Sequence, residues 1–237
     1  MRNPFIPLRI AEIKNSTYYA GNKENKLPSF IVTKLGEKVI RAGIVGTVVD
    51  KYVNDEMTYC RLIVNDETDD IVVKAFRDLV NEAVKIDIGN IVFVVGKIRE
   101  SNYRYINAEL IKKVDFKFEA FFKLKVIERI KRNSYKVEEI LKLSNILSYS
   151  ELLEEAKKRF EMDEIEVSEV LKNKGIENLE DNVLKIIENF SSEEGISLSE
   201  ILSLVNIDKE KLTQIIDSLL ESGKIYEYKP GKYKIIK

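Results

Sequence analysis

Between residues 39 and 114 the apolar side chains fall on alternate positions, the period of strands that bury one face. Five strands fit this alternation, at 40–52, 57–64, 69–76, 90–100 and 104–113. A short helix at 77–86 separates the third from the fourth. Gly43 and Gly46 give the long first strand places to bend and coil. Three strands, a helix and a closing hairpin are the element order of a five-stranded OB-fold β-barrel.

Past residue 114 the period lengthens to that of helices. Residues 115–132 place Phe116, Ala120, Leu124 and Ile127 near one stripe. Helices continue through 135–174, with Ser148 and Glu151 as a capping box and Gly175 as a C-terminal stop. A further helix at 178–190 carries Leu179, Val183, Ile187 and Phe190 on one side. Ser197 and Glu200 open the next, and a third has Leu212, Ile215, Ile216 and Leu219 as its core stripe. Gly223 ends it, and a hairpin turns at Pro230-Gly231, which completes a winged helix. The expected class is therefore an α+β multidomain chain. Its parts are an N-terminal arm (1–36), an OB-fold (37–114), a helical assembly or connector region (115–175) and a winged-helix domain (176–237). The arm holds three of the four prolines and reads as extended, with a short strand around residues 8–13.

Composition narrows the chemistry. The 237 residues include one cysteine, Cys60, and no histidine, which removes an intrachain disulfide, a Cys/His zinc site and imidazole catalysis. The acidic residues lack the Asp/Gly loop of a calcium site, and no glycine-rich phosphate loop is present. A non-catalytic protein without a cofactor is expected. No apolar run is long enough to span a bilayer, and the first residues are too short and interrupted for a signal segment. The expected setting is cytoplasmic, nucleoid-associated in an archaeon, with no membrane partner. The net charge of −1 hides a polarity: residues 112–136 carry nine basic and three acidic side chains, residues 137–200 seven and seventeen.

A barrel that binds single strands needs aromatics for bases and cations for phosphates on its outer face. Cys60, Leu62 and Val64 on one strand and Ile71, Val73 and Ala75 on the next have the inward parity. Tyr59, Arg61, Ile63, Lys74 and Phe76 then face outward, followed by Arg77. Around the last hairpin Arg99, Tyr103, Arg104 and Tyr105 cluster two aromatics with two cations. The expected nucleic-acid contacts are Arg61, Lys74, Phe76, Arg77, Arg99, Tyr103, Arg104 and Tyr105. Tyr52, isolated on its strand, reads as ordinary sheet surface. The barrel's own charge of −3, ten basic against thirteen acidic residues over 37–111, counts against tight autonomous binding.

The run Val73-Lys74-Ala75-Phe76-Arg77-Asp78 resembles the third-strand motif of the middle subunit of replication protein A. Val94-Val-Gly-Lys-Ile-Arg-Glu-Ser101 resembles the exit of that subunit's fourth strand, and Ala42-Gly-Ile-Val-Gly-Thr-Val-Val-Asp50 its opening strand. The likeness is nearest to archaeal middle-subunit-like or replication-protein-A-associated proteins; a telomeric OB-plus-winged-helix subunit shares the architecture. The resemblance implies that Phe76 stacks on a base. It also implies a second stacking aromatic near Ser101 or Asn102, for which Tyr103 is the nearest substitute. The helix after the barrel would join a bundle with larger OB-fold subunits. Its phenylalanines, Phe116, Phe121 and Phe122 among them, cover more than one stripe, so that one face needs a partner. The helical stretch 135–174 and the ordered-looking arm depart from the eukaryotic pattern.

The third helix of the winged helix presents Lys209, Lys211, Thr213, Gln214, Asp217 and Ser218, with Glu210 and Glu221 nearby and no arginine. Duplex readers use Arg, Lys, Asn or Gln there, and carboxylates repel phosphate. Protein docking through Lys211, Gln214 and Tyr228 is favoured. The sequence thus points to a single-stranded DNA-binding subunit of a replication protein A-like complex, its winged helix recruiting replication or repair proteins. The alternative is a winged-helix transcription regulator with a β-barrel for sensing or dimerisation.

Overall fold

Residues 4–22, 27–174, 179–191, 195–205 and 209–236 are described by a computed structural model. Residue 178 and the expected stop at Gly175 lie outside them. The chain divides into two compact units, 1–137 and 138–237.

The arm opens with a two-residue strand, β1 (Ile6–Pro7), paired parallel to the barrel. The strand expected around residues 8–13 is instead helix α1 (Ile10–Lys14). Two contacts from distant residues favour a helical turn here. The Asp66 carboxylate accepts from the backbone N–H of Ile10 at 2.8 Å, and Arg104 donates to the carbonyls of Ile13 and Ser16 at 2.6 and 2.9 Å. Leu8, Ile10 and Ile13 are thereby buried in the barrel core. Strands β2 (Thr17–Tyr19), β3 (Phe30–Val32) and β4 (Lys38–Val39) form a small antiparallel sheet.

The barrel is β5 (Arg41–Val53), β6 (Tyr59–Asn65), β7 (Asp70–Phe76), β8 (Ile91–Glu100) and β9 (Arg104–Lys113). Helix α2 (Asp78–Val84) stands between β7 and β8. Closure comes from β5, which pairs with β8 through its first half and with β6 through its second, and from the parallel pair β7–β9. The strand turns from one partner to the other at Gly46 and Thr47. A Cβ on Gly46 would lie 2.4 Å from the Asn65 carbonyl oxygen, so no side chain fits there. A bulge between Val48 and Asp50 adds twist just beyond. Cys60, Leu62, Val64, Ile71, Val73 and Ala75 all point inward and are buried, as the alternation requires.

Helix α3 (Phe116–Leu143) is one continuous helix, longer than the expected 115–132. Phe122 and Val126 pack on Val45, Ile91 and Phe93 of the barrel. Phe93 also meets the Phe118 ring at 5.2 Å.

In the second unit, α4 (Tyr149–Phe160) and α5 (Glu164–Asn173) are each opened by a capping box. Ser148 with Glu151 is the expected one; Asp163 with Glu166 has the same chemistry. The winged helix comprises α6 (Leu179–Phe190), β10 (Ile196–Ser197), α7 (Leu198–Leu204), α8 (Lys209–Glu221), β11 (Ile225–Lys229) and β12 (Lys232–Ile235). Val183, Ile187, Ile201, Leu212, Ile216, Leu219 and Ile225 make its core, and the sheet order is β10-β12-β11.

Candidate nucleic-acid interface

Strand register assembles the outer face of the barrel. Tyr59 lies opposite Phe76 and Arg61 opposite Lys74 across β6 and β7. Tyr52 is opposite Arg61 across β5 and β6, and Tyr105 is opposite Arg99 across β8 and β9. The result is a line of rings. Tyr52 is 6.4 Å from Tyr59, and Tyr59 is 5.3 Å from Phe76. The Lys74 ammonium sits 3.8 Å from the Tyr105 centroid and 5.0 Å from that of Tyr103, which links the two hairpins. Arg61 is paired with Asp50 at 2.9 Å and stands over the Tyr52 ring at 5.9 Å.

Phe76, Tyr103 and Tyr52 are about half exposed (47 %, 47 % and 51 %), so a base can reach their faces. Burial raises the pKa of the Tyr59 hydroxyl, more than the nearby Lys74 lowers it. Arg77 is exposed just past Phe76, with φ of 56° where a side chain is strained. Arg99 is half-buried beside Tyr105.

Two expected contacts have other duties. The Arg104 guanidinium is bound by Glu100, by carbonyls of the arm and by the Ser16 hydroxyl, and it holds α1 in place. Phe122 is only 7 % exposed because it packs on the barrel, which withdraws it from any partner. Its neighbours Phe116, Phe121, Leu124 and Ile127 are exposed, at 68, 57, 64 and 48 %. Tyr52 and Tyr59 are the members the sequence reading left out of the site. Each looks ordinary alone; pairing the strands on either side of the 54–58 turn is what brings them together.

On the winged helix, Gln214 is exposed and Lys211 half-buried on α8, beside exposed Glu210, Asp217 and Glu221. Tyr228 is on β11, with the Lys234 ammonium 4.0 Å from its ring. Among the described residues no group of three or more metal-ligating side chains converges, and no helix is long and apolar enough to cross a membrane.

Comparison with known proteins gives this geometry a context. Residues 149–228 match the family model described as replication protein A C terminal, so α4 and α5 belong to the matched region along with the winged helix up to β11. The uncharacterized protein MJ1654 of Methanocaldococcus jannaschii is 31 % identical over 202 residues, covering 85 % of this chain and 77 % of that protein. Among solved structures, a chain of a replication protein A heterotrimer bound to ssDNA has 21 % identity and a TM-score of 0.46 over 55 % of this chain and 98 % of its own. A chain of the S. pombe Stn1-Ten1 complex has 18 % identity and a TM-score of 0.48 over 58 % and 98 %. On its 31 % identity over 85 % of its length the chain belongs to one family with the archaeal protein MJ1654, and its residues 149–228 carry the region described as replication protein A C terminal.

Proposed function

We propose that this chain is a non-catalytic single-stranded DNA-binding subunit of a replication protein A-like complex. The observation that carries the reading is the outer line Tyr52, Tyr59, Phe76, Lys74, Tyr105 and Tyr103, in which five rings able to stack on bases hold one cation, Lys74, able to meet a phosphate. Arg61, Arg77 and Arg99 add charge along its edges. The exposed face of α3, with Phe116 and Phe121, joins larger OB-fold subunits, which add to the modest affinity of the acidic barrel. The winged helix recruits replication or repair proteins through Lys211, Gln214 and Tyr228. Its third helix mixes cations with carboxylates, an arrangement better suited to a protein surface than to duplex phosphates.

Fluorescence anisotropy with oligo-dT and with duplex DNA, over a salt series, tests the reading. Salt-sensitive binding that favours oligo-dT is expected. Sequence-dependent preference for duplex would instead identify a winged-helix transcription regulator.

A further inference from the structure

The ring line does not end the open surface of β6 and β7. Tyr59 and Phe76 occupy one end of this strand pair; toward the other end lies the cross-strand pair Ile63 and Val72. These two side chains form part of the lining of a groove of about 510 Å³ that continues past Tyr103. The arm closes it with Lys14, at the C-terminal end of α1.

The charges around this groove are already matched to one another. Lys14 is paired with Asp69 at 2.6 Å, and Arg104 with Glu100. Asp70, also on the wall, accepts from the Asn65 amide at 2.8 Å. Three carboxylates against two cations give a rim that does not attract phosphate, over apolar side chains next to an exposed ring. Such a groove suits a flat, uncharged, weakly polar group better than an anion.

We infer that the groove over Ile63 and Val72 is an additional nucleobase site, and that helix α1 of the arm is built as its outer wall. The inference rests on the strand-binding reading above. A single strand lying along the rings passes Tyr103 and places its next base in the groove, with the sugar-phosphate left toward solvent. Arg104 is a positioning residue here: its donations to Ile13 and Ser16 fix the end of α1, and with it the wall. The occluded length of DNA is therefore longer than the exposed rings alone would give.

Affinity of the full chain for oligo-dT of about 4 to 16 nucleotides measures this. In the native protein the affinity keeps rising until the groove is filled. Val72→Glu, on the outer face, is expected to stop the rise one or two nucleotides earlier while leaving the affinity for the shortest bound oligomer unchanged, which also reports that the barrel is folded. The loss at full length is expected to be about fivefold or more. Abasic extensions at either end of that shortest oligomer should lose the gain that thymidine extensions provide. A rise in Val72→Glu that matches the native protein overturns the inference, as does a gain retained on abasic extensions, which would mark a phosphate contact. Phe76→Ala separates the two levels: it should weaken every length, and a native protein that binds no oligomer removes the strand-binding reading together with this one.

Discussion

The Lys74 ammonium lies 3.8 Å from the ring centroid of Tyr105, so one cation on β7 is held by an aromatic on β9. It also stands 5.0 Å from Tyr103, and a single side chain therefore presets two rings and one charge. Lys74→Ala should lower the salt dependence of oligo-dT binding by roughly 0.7 in slope, the value for one phosphate contact on a single strand. Phe76→Ala should cost about 1–3 kcal/mol with the slope unchanged, as expected for a lost stack. Anisotropy titrations at several salt concentrations distinguish the two. Equal slopes in Lys74→Ala and the native protein would mean that no phosphate meets Lys74.

Arg129 of α3 is buried between two carboxylates, Glu12 on α1 and Glu37 just before β4. Its side chain is 3 % exposed, bonded to Glu12 at 2.5 Å and to Glu37. Among the described residues its Nε has no partner, so the site is not fully satisfied. Arg129→Ala leaves two carboxylates facing each other with little water, and removing one partner of a buried pair costs about 3–5 kcal/mol. Denaturant unfolding of the full chain should show that loss, and adding Glu12→Gln should recover part of it. A loss below about 1 kcal/mol would mean that water enters as soon as the arginine is gone.

These two clusters show what was legible in the sequence. Alternation placed all six inward residues from Cys60 to Ala75 correctly, because period two admits one register once one face is buried. Both expected capping boxes formed, since the chemistry is local. Tyr52 and Tyr59 were harder: membership in the ring line depends on which strands pair, and no window of sequence contains that. Arg104 and Phe122 show the converse. Each has the residue type a binding site uses, and each is occupied by groups from distant parts of the first unit. Arg104 holds residues 13–16, and Phe122 meets Val45 and Phe93.

The capping boxes make a pH prediction. Hydrogen bonds donated by the Ser197 hydroxyl and, next, its backbone N–H hold the Glu200 carboxyl below its ordinary pKa; those from Ser148, the backbone first, do the same for Glu151. A folded-state pKa below the unfolded one means that this stabilisation is complete above the ordinary carboxyl range. It is lost as pH falls through the lowered value. Glu200→Gln keeps an acceptor for the Ser197 N–H but removes the titration, so its unfolding midpoint should fall less than the native one between about pH 5 and pH 3. Parallel acid limbs would show that Glu200 contributes nothing to the slope. Ser197→Ala, which removes the cap itself, should cost about 1 kcal/mol near neutral pH.

Adjacent phenylalanines on α3 separate assembly from folding. Phe122 lies against Val45 and Phe93, while Phe121 is 57 % exposed, with the Lys125 ammonium at 5.8 Å over its ring. Phe122→Ala should cost about 3–5 kcal/mol, the usual result of emptying a packed aromatic site. Phe121→Glu should leave the unfolding midpoint nearly unchanged, because the new carboxylate points to water. If α3 joins a larger OB-fold subunit through its exposed face, the same Phe121→Glu must abolish co-purification with that subunit, since a charge would be buried without a partner. A Phe121→Glu chain that still co-purifies would remove this face of α3 from the assembly and leave the association to other surfaces.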